Sequence, residues 1–269
     1  MNIRIENLSF RYPNGVLALA GVSLEIASGE QVAIIGQNGA GKTTLVKHLN
    51  GLLLPTEGRV LIGDWDTRHY SVAKLARRVG YVFQNPDEQL FTKTVADEIA
   101  FGPRNLGYPN ERIQALVEDA LHLTQLQEMR SMNPYDLSPT WRKMVAVASI
   151  LSMDTPILIF DEPTTGQDAA SVERLATIIA EMKRRGKTVL TITHDIDFCA
   201  ENFERVIVMG GGKVLLDGPA REVFGQEAIL AQTYVDPPQI TRLGLRLGLG
   251  EVVCTPQEFL DAFERHCAA

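Results

Sequence analysis

The sequence lacks the long apolar segments, the cysteine pairs and the excess of positive charge that mark several large classes of protein. No stretch reaches the ~18 uninterrupted apolar residues typical of a transmembrane helix, and no apolar signal region opens the chain. We therefore expect a chain that does not itself cross a membrane. Its three cysteines, Cys199, Cys254 and Cys267, lack metal-ligand spacing, and their odd number argues against a disulfide framework.

The charge balance is also one-sided. A net charge of −7 argues against a protein held to nucleic acid by phosphate contacts, so no nucleic-acid partner is expected. Apolar residues make up 45% of the 269 positions, which is ordinary for a packed core of one large domain or two.

The most informative segment is the phosphate loop, residues 36–44, which fits the pattern G-x-x-x-x-G-K-[ST]. An apolar run predicts a buried strand before it, and apolar spacing predicts a helix after it. Glycines let successive N–H groups point into one concavity that suits phosphate oxygens. The residues predicted to bind a nucleoside triphosphate are Gly36, Asn38, Gly39, Ala40, Gly41, Lys42, Thr43 and Thr44. Lys42 is expected at the β- and γ-phosphates, and the Thr43 hydroxyl at Mg²⁺.

A second apolar run, residues 156–160, ends in an acidic pair. A buried parallel strand delivers such carboxylates to the rim of a phosphate site. Asp161 is predicted to hold Mg²⁺ directly or through water. Glu162 is predicted to accept a proton from the water that attacks the γ-phosphate, or to orient that water. An acidic pair after a strand is weak evidence alone, but it gains weight after a phosphate loop.

With these residues in view, the chain resembles the nucleotide-binding subunit of ATP-binding-cassette (ABC) transporters over roughly residues 1–225. The resemblance implies an α/β fold: a P-loop NTPase core with an antiparallel β subdomain, a helical subdomain at about 85–155 and a small C-terminal extension. It divides the chain into an ATPase domain, residues 1–224, and the extension, residues 225–269. It also implies ATP and Mg²⁺ as ligands, and ATP hydrolysis that drives transport at the cytoplasmic face of the membrane.

Three further residues match the family in order. Tyr12 falls where the family stacks an aromatic ring on adenine. Gln84 matches a glutamine that contacts magnesium and water and links the catalytic core to the membrane subunits. His194 matches the histidine that hydrogen-bonds the γ-phosphate and the attacking water. The resemblance thus implies Glu162, His194 and Gln84 as catalytic residues.

The departure from the family pattern lies in the signature segment, residues 137–144. The family's Leu-Ser-Gly-Gly-Gln reaches the ATP bound by the opposite subunit of a head-to-tail dimer, whereas this chain has Leu-Ser-Pro-Thr-Trp. Ser138 and Pro139 suit a helix start, and Ser138 is still expected at that ATP. Proline, however, has no N–H, and Thr140 and Trp141 are expected to add bulk near the phosphate.

We therefore expect a heterodimer in which a second, related ATPase supplies an intact signature to this chain's ATP. The alternative is a homodimer that tolerates the altered segment through Ser138 and the helix dipole. Two other functions stay open. A regulatory ATP-binding subunit with little turnover agrees with Pro139 but leaves Glu162 and His194 without a use. A soluble ABC ATPase of DNA repair or chromosome organisation would insert heptad-patterned arms or zinc ligands, which are absent here.

Residues 83–107 resemble most closely the ATPases of energy-coupling factor importers, which take up vitamins and transition-metal ions. The face from Gln84 to Phe101 is the predicted groove for a transmembrane transporter subunit. Leu90, Phe91 and Phe101 are equally compatible with core packing.

Two helix starts are also predicted. Asn110 is expected to cap a helix over residues 111–121. A capping box over residues 255–258 is expected to start a helix that ends near His266. The extension that carries this second helix either holds a dimer together, as the resemblance implies, or packs only on its own core.

Overall fold

The computed structural model describes residues 1–268, which form two β-sheets and a set of helices. The strands are β1 Ile3–Arg11, β2 Leu17–Ile26, β3 Gln31–Ile35, β4 Glu57–Ile62, β5 Trp65–Asp66, β6 Val79–Val82, β7 Ile157–Asp161, β8 Thr188–Ile192, β9 Arg205–Gly210 and β10 Lys213–Pro219. The α-helices are α1 Lys42–Lys47, α2 Val72–Leu75, α3 Val95–Asn105, α4 Asn110–Thr124, α5 Pro139–Leu151, α6 Ala169–Arg184, α7 Ile196–Asn202, α8 Ala220–Phe224, α9 Glu227–Leu230, α10 Gln239–Leu247 and α11 Pro256–Ala268.

The larger sheet runs in the order β10-β9-β3-β8-β7-β6, with five neighbouring parallel strands and β10 as an antiparallel edge. Every residue of β3, β6, β7 and β8 is buried, as the short apolar runs predict for strands covered on both faces. The carboxyl ends of parallel strands meet at one edge, so the phosphate loop after β3 lies beside the residues that follow β7 and β8.

The smaller sheet, β2-β1-β4-β5, is antiparallel throughout. Its buried side packs with α1 and one face of the larger sheet around a core that includes Leu8, Leu19 and Ile34. The second core covers the opposite face of the larger sheet and receives most of the remaining helices. The α/β fold with an antiparallel β subdomain is thereby confirmed.

Helices α3, α4 and α5 pack on one another between β6 and β7 in the chain, within the predicted helical insertion. Helix α5 buries Met144 and the four residues after it in the second core. The predicted cap of α4 is wrong, because Asn110 is already the first helical residue. The cap position is held by Pro109, whose extended backbone leads into the helix and whose carbonyl accepts the first bond, from Ile113 N–H.

The C-terminal extension packs on the protein's own core through Leu230, Val235 and Cys254. Thr255 caps α11 by accepting from Glu258 N–H, and the Glu258 carboxylate accepts from Cys254 N–H at 2.7 Å. The helix start is thus as predicted, although the reciprocal bond goes to the residue before the cap. A set of side chains on α10 and α11 stays exposed: Leu243, Leu245, Leu247, Leu260 and Phe263.

The domain boundary between residues 224 and 225 and the dimerising role of the extension stay predictions. Ala269 lies outside the described residues. Over residues 1–268, the structure contains no helix with both the length and the apolar character that spanning a membrane requires. The described cysteines Cys199, Cys254 and Cys267 are free thiols, and the first two are buried.

Candidate active site

The phosphate loop has a backbone that requires glycine at defined positions. Gly36, Gly39 and Gly41 all have positive φ, at +145°, +81° and +101°. A Cβ at Gly36 would overlap the Met209 carbonyl, and one at Gly41 would lie 2.7 Å from the Ala18 carbonyl oxygen. Space and conformation therefore both exclude side chains at 36 and 41, whereas at 39 only the conformation does.

A cleft of about 370 Å³ opens over this loop. Its lining residues are Asn38, Gly39, Gly41, Lys42, Thr43, Thr44, Gln84, Glu162, Thr165 and His194. The fold thus gathers predicted residues from four distant parts of the chain: the loop itself, Gln84, Glu162 and His194. Gly36 lies at the start of the loop, Ala40 is buried within it, and Asp161 lies beneath Thr43. A neighbouring cleft of about 570 Å³ shares Asn38 and His194 and extends to residues 234–239.

Lys42 is buried and folds back over the loop. Its Nζ donates to the carbonyl oxygens of Gly36 at 2.6 Å and Gln37 at 3.1 Å, and lies 3.4 Å from His194 Nε2. Burial lowers the pKa of the Lys42 ammonium, and the carboxylates of Glu162 and Asp161 partly oppose that shift. An anion in the cleft would therefore stabilise an ammonium group that burial desolvates.

Thr43 and Asp161 form an oxygen pair beside the loop. Thr43 Oγ1 donates to Asp161 Oδ1 at 3.3 Å, and the buried Tyr81 hydroxyl donates to Asp161 Oδ2 at 2.6 Å. A hydroxyl and a carboxylate are hard donors, and Mg²⁺ commonly takes one or two carboxylates together with substrate phosphates and water. The donor set therefore fits Mg²⁺ bound with a nucleotide. Burial and the Asp161 charge raise the pKa of Tyr81, which keeps its hydroxyl a donor.

Glu162 is held at the mouth of the cleft by a strained backbone. Its φ is +50°, a left-handed conformation that is uncommon for a non-glycine residue. Its N–H donates to the Ile192 carbonyl at 2.9 Å, which pins it to the neighbouring strand β8. Glu162 Oε1 lies 3.0 Å from His194 Nε2, and Oε2 accepts from His194 N–H at 3.2 Å. The carboxylate and the imidazole are thus fixed as a pair facing the phosphate loop.

Tyr12 lies just beyond β1 and is half-buried. Its hydroxyl is 3.0 Å from Thr44 Oγ1, and its ring meets the Phe10 ring edge-on with centroids 4.9 Å apart. The hydroxyl contact places the aromatic ring beside the last residue of the phosphate loop. That position suits a base attached to a nucleotide whose phosphates occupy the loop.

Replacing Tyr12 with Ala is expected to weaken ATP binding about five- to a hundredfold, because stacking of a base on an aromatic ring contributes roughly 1–3 kcal/mol. Isothermal titration with ATP measures the loss, and tripolyphosphate, which has no base, serves as the matched ligand. Its affinity should be unchanged. An equal loss for both ligands would show that the substitution damages the loop rather than a base contact.

The signature segment starts α5 as predicted. Ser138 is the cap residue, with Oγ accepting from Trp141 N–H at 3.5 Å, and Pro139 is the first helical residue. Ser138 is exposed and does not line this chain's own phosphate cleft. The bulk expected from Trp141 near a phosphate of the opposite subunit stays a prediction. The Trp141 ring packs against the protein's own core, with the Arg174 guanidinium 4.7 Å from the ring centroid.

Two polar side chains next to the site were not anticipated from the sequence. Tyr81 lies in β6 beside β7, and Lys143 is buried within α5, where its Nζ donates to the carbonyls of Phe83 and Gln84. Tyr81 stands between apolar residues of a strand, and Lys143 follows Arg142 directly before an apolar run, so neither position is marked in the sequence as part of a site.

The apolar residues of the predicted docking face differ in burial. Leu90 is buried, whereas Phe91 and Phe101 are 60% and 42% exposed and meet edge-to-face at 4.6 Å. Both phenylalanines line a largely apolar groove of about 340 Å³ between α3 and α5, which also includes Met153. Of the three residues, only Leu90 is core.

Comparison with known proteins agrees with the site geometry. The model of the ABC transporter family matches residues 19–165. The energy-coupling factor transporter ATP-binding protein EcfA of Methanoculleus marisnigri is 39% identical over 98% of both chains. A putative ABC transporter ATP-binding protein of Methanosarcina acetivorans is 45% identical over 91% of this chain. This chain spans 40% of that relative's length, and less than half the length of two further relatives.

The fold has a similar solved neighbour. The structure of cbiO1 from Clostridium perfringens, described as part of the ABC transporter complex cbiONQ, superposes with a TM-score of 0.77. The two proteins are 35% identical, and the match covers 91% of this chain and 98% of the neighbour.

Proposed function

Since this chain belongs to the ABC transporter family, whose ATPase domain it carries, we propose that it hydrolyses ATP to power substrate import through a membrane transporter of the energy-coupling factor type. The observation that carries the hydrolytic part is the convergence of Lys42, Glu162 and His194 on one phosphate cleft. The importer type is supported by the names of the relatives and by the groove on the helical subdomain.

Each residue has a task that follows from its position. Loop N–H groups and Lys42 bind the phosphates, and Tyr12 holds the base. Thr43 and Asp161 would hold Mg²⁺, which when bound neutralises phosphate charge. Gln84, which lines the same cleft, would contact that ion and the attacking water. Glu162 takes a proton from, or orients, that water, and His194 donates to the γ-phosphate.

We propose further that the active unit is a heterodimer with a second, related ATPase. Two features of the signature segment support it: Pro139 has no N–H to offer a phosphate, and Ser138 stands exposed at the start of α5, away from this chain's own cleft. Losing one hydrogen bond to a charged group reduces a rate or affinity about ten- to a hundredfold. The partner's ATP site, to which this segment contributes, then hydrolyses ATP slowly. This chain's own cleft stays competent when the partner supplies an intact signature.

Restoring the glycines tests this pairing. Pro139→Gly with Thr140→Gly is expected to raise the ATP turnover of the chain alone about ten- to a hundredfold, because the first substitution adds a backbone N–H that can face the opposite ATP and the second removes a side chain beside it. Trp141 is left in place because it packs in the core. The double variant that also carries Glu162→Gln is the control and should stay inactive. If turnover is unchanged by the glycines, Pro139 is not the cause of weak activity.

The groove lined by Phe91 and Phe101 is proposed as the docking site for a helix of the transmembrane subunit, which would place the protein at the cytoplasmic face of the membrane. It is apolar, partly exposed and next to the Gln84 loop, residues 83–89. A helix seated there would move with that loop when nucleotide binds or leaves.

Replacing both Phe91 and Phe101 with Ser is expected to reduce recovery of the protein with washed cell membranes at least about tenfold, while ATP affinity stays within about twofold, because buried aromatic anchors dominate interface energy. The matched control is Leu52→Ser with Leu54→Ser, which removes exposed apolar side chains elsewhere. Equal recovery of both variants and the unmodified protein would exclude this groove as the docking site.

A further inference from the structure

The lysine buried in α5 has no explanation in packing. Lys143 is 2% exposed and directly precedes Met144, a residue of the second core. Burying an ammonium group without a partner carboxylate costs stability. In the part of the chain that the structure describes, Lys143 forms no ion pair. Its Nζ instead donates to the carbonyl oxygens of Phe83, at 3.2 Å, and Gln84.

The charges that face Lys143 come from the active site. Desolvation lowers the pKa of Lys143 to about 8, and the nearby carboxylates of Asp161 and Glu162 oppose that shift. Lys143 therefore lies within electrostatic reach of the acidic pair, while its hydrogen bonds hold the main chain of Phe83 and Gln84.

Other contacts fix the remainder of the Gln84 loop to the same helix. Gln89 Nε2 donates to the Ala146 carbonyl at 2.7 Å, and Gln89 Oε1 accepts from Phe83 N–H at 3.1 Å. Arg142 forms an ion pair with Asp87 at 2.9 Å. Helix α5 and residues 83–89 therefore form one tied unit, with Lys143 at the end nearest the phosphates.

That unit joins two different nucleotide contacts. Ser138, which caps helix α5, is expected at the ATP held by the opposite subunit, and Lys143 lies about 7.5 Å further along the helix axis. Gln84 lines the cleft for this chain's own ATP. Among the contacts that join α5 to residues 83–89, only those of Lys143 reach the Gln84 main chain itself, so a displacement at the start of α5 is expected to move Gln84 through them.

We propose that Lys143 is a positioning residue that couples the signature end of α5 to Gln84, so that nucleotide contact at Ser138 sets the place of Gln84 in this chain's own cleft. The inference rests on the proposed ATPase function. It assigns to Lys143 a role in the reaction without contact to the reacting atoms.

The test compares Lys143→Met, which keeps the stem and removes the donors, with Lys143→Arg, which keeps the charge and the donors. In the full chain, assayed with a related ATPase that has an intact signature, Lys143→Met is expected to lower kcat about tenfold with KM for ATP within about twofold. Lys143→Arg should restore at least about a third of kcat. The control is Lys187→Met, a second largely buried lysine, which contacts Asp154 at the opposite end of β7 and β8.

Hydrogen exchange of the backbone amides distinguishes a loss of coupling between α5 and Gln84 from a general loss of stability. In the Glu162→Gln background, ATP is expected to increase protection of residues 83–89, and Lys143→Met should abolish that increase while Lys187→Met keeps it. Unchanged kcat and unchanged protection in Lys143→Met would overturn the coupling and leave the ATPase function standing. Absence of turnover in the unmodified protein under every pairing would instead overturn the proposed function, and the exchange difference would still decide whether Lys143 couples α5 to Gln84.

Discussion

Glu162→Gln is expected to lower ATP turnover about a hundred- to ten-thousandfold, because an amide cannot accept the proton of the attacking water. The structure fixes this carboxylate by strained backbone and by contacts with His194. Glutamine is nearly isosteric and its oxygen can still accept from His194 N–H, so the fold and ATP binding should survive. The variant should therefore accumulate in the ATP-bound state, as a closed dimer.

Single-turnover and steady-state ATPase assays measure the loss, and size-exclusion chromatography with and without ATP measures the trapped dimer. Glu201→Gln, which changes an exposed glutamate elsewhere on the chain, serves as the control. Normal turnover by Glu162→Gln would remove Glu162 from the catalytic role and point to another group as the proton acceptor.

Lys42→Ala is the second large effect, with ATP affinity expected to fall about a hundredfold or more. The lysine is expected at two phosphates, and each hydrogen bond to a charged group contributes roughly 1.5–3 kcal/mol. The protein without nucleotide should lose little stability, because burial already disfavours the ammonium there.

Thermal unfolding with increasing ATP distinguishes a loss of ATP affinity from a loss of stability in the protein without nucleotide. At a hundred times the dissociation constant, bound ligand stabilises a protein by about 2.7 kcal/mol, so the unmodified chain should show a clear rise in Tm that the variant lacks. Lys47→Ala, on the same helix α1, should keep the rise. An undiminished ATP-induced shift in Lys42→Ala would mean that the loop assignment is wrong.

Local motifs in the sequence predicted most of the phosphate cleft. The phosphate loop and the pair Asp161 and Glu162 are short, and their chemistry demands particular residues, so a single segment identifies each. The parallel order of the strands then places them at one edge. Contacts between distant segments were missed for the opposite reason. The Tyr81 hydroxyl reaches Asp161 across β6 and β7, and Lys143 reaches Gln84 from α5. No local pattern encodes either pairing.

Side-chain direction was the other limit. The sequence places Trp141 in the signature segment but does not show that its ring turns onto the core under Arg174. The sequence is likewise equally compatible with core and surface positions for Leu90, Phe91 and Phe101. Only the packing in the structure shows that the leucine is buried and the two phenylalanine rings are exposed. Asparagine is favoured at helix caps, but the cap of α4 is Pro109, because its extended backbone leads directly into the helix and makes Asn110 the first helical residue.

The most direct test of the paired-site account is the steady-state ATPase rate of this chain alone and mixed with a related ATPase subunit that carries an intact signature. We expect little turnover alone and an increase of at least about tenfold in the mixture, with the increase lost when this chain carries Glu162→Gln. Turnover by the chain alone on the order of 1 per second, from a stable homodimer, would contradict the account. The Ser138-Pro139-Thr140 segment would then serve hydrolysis as it stands.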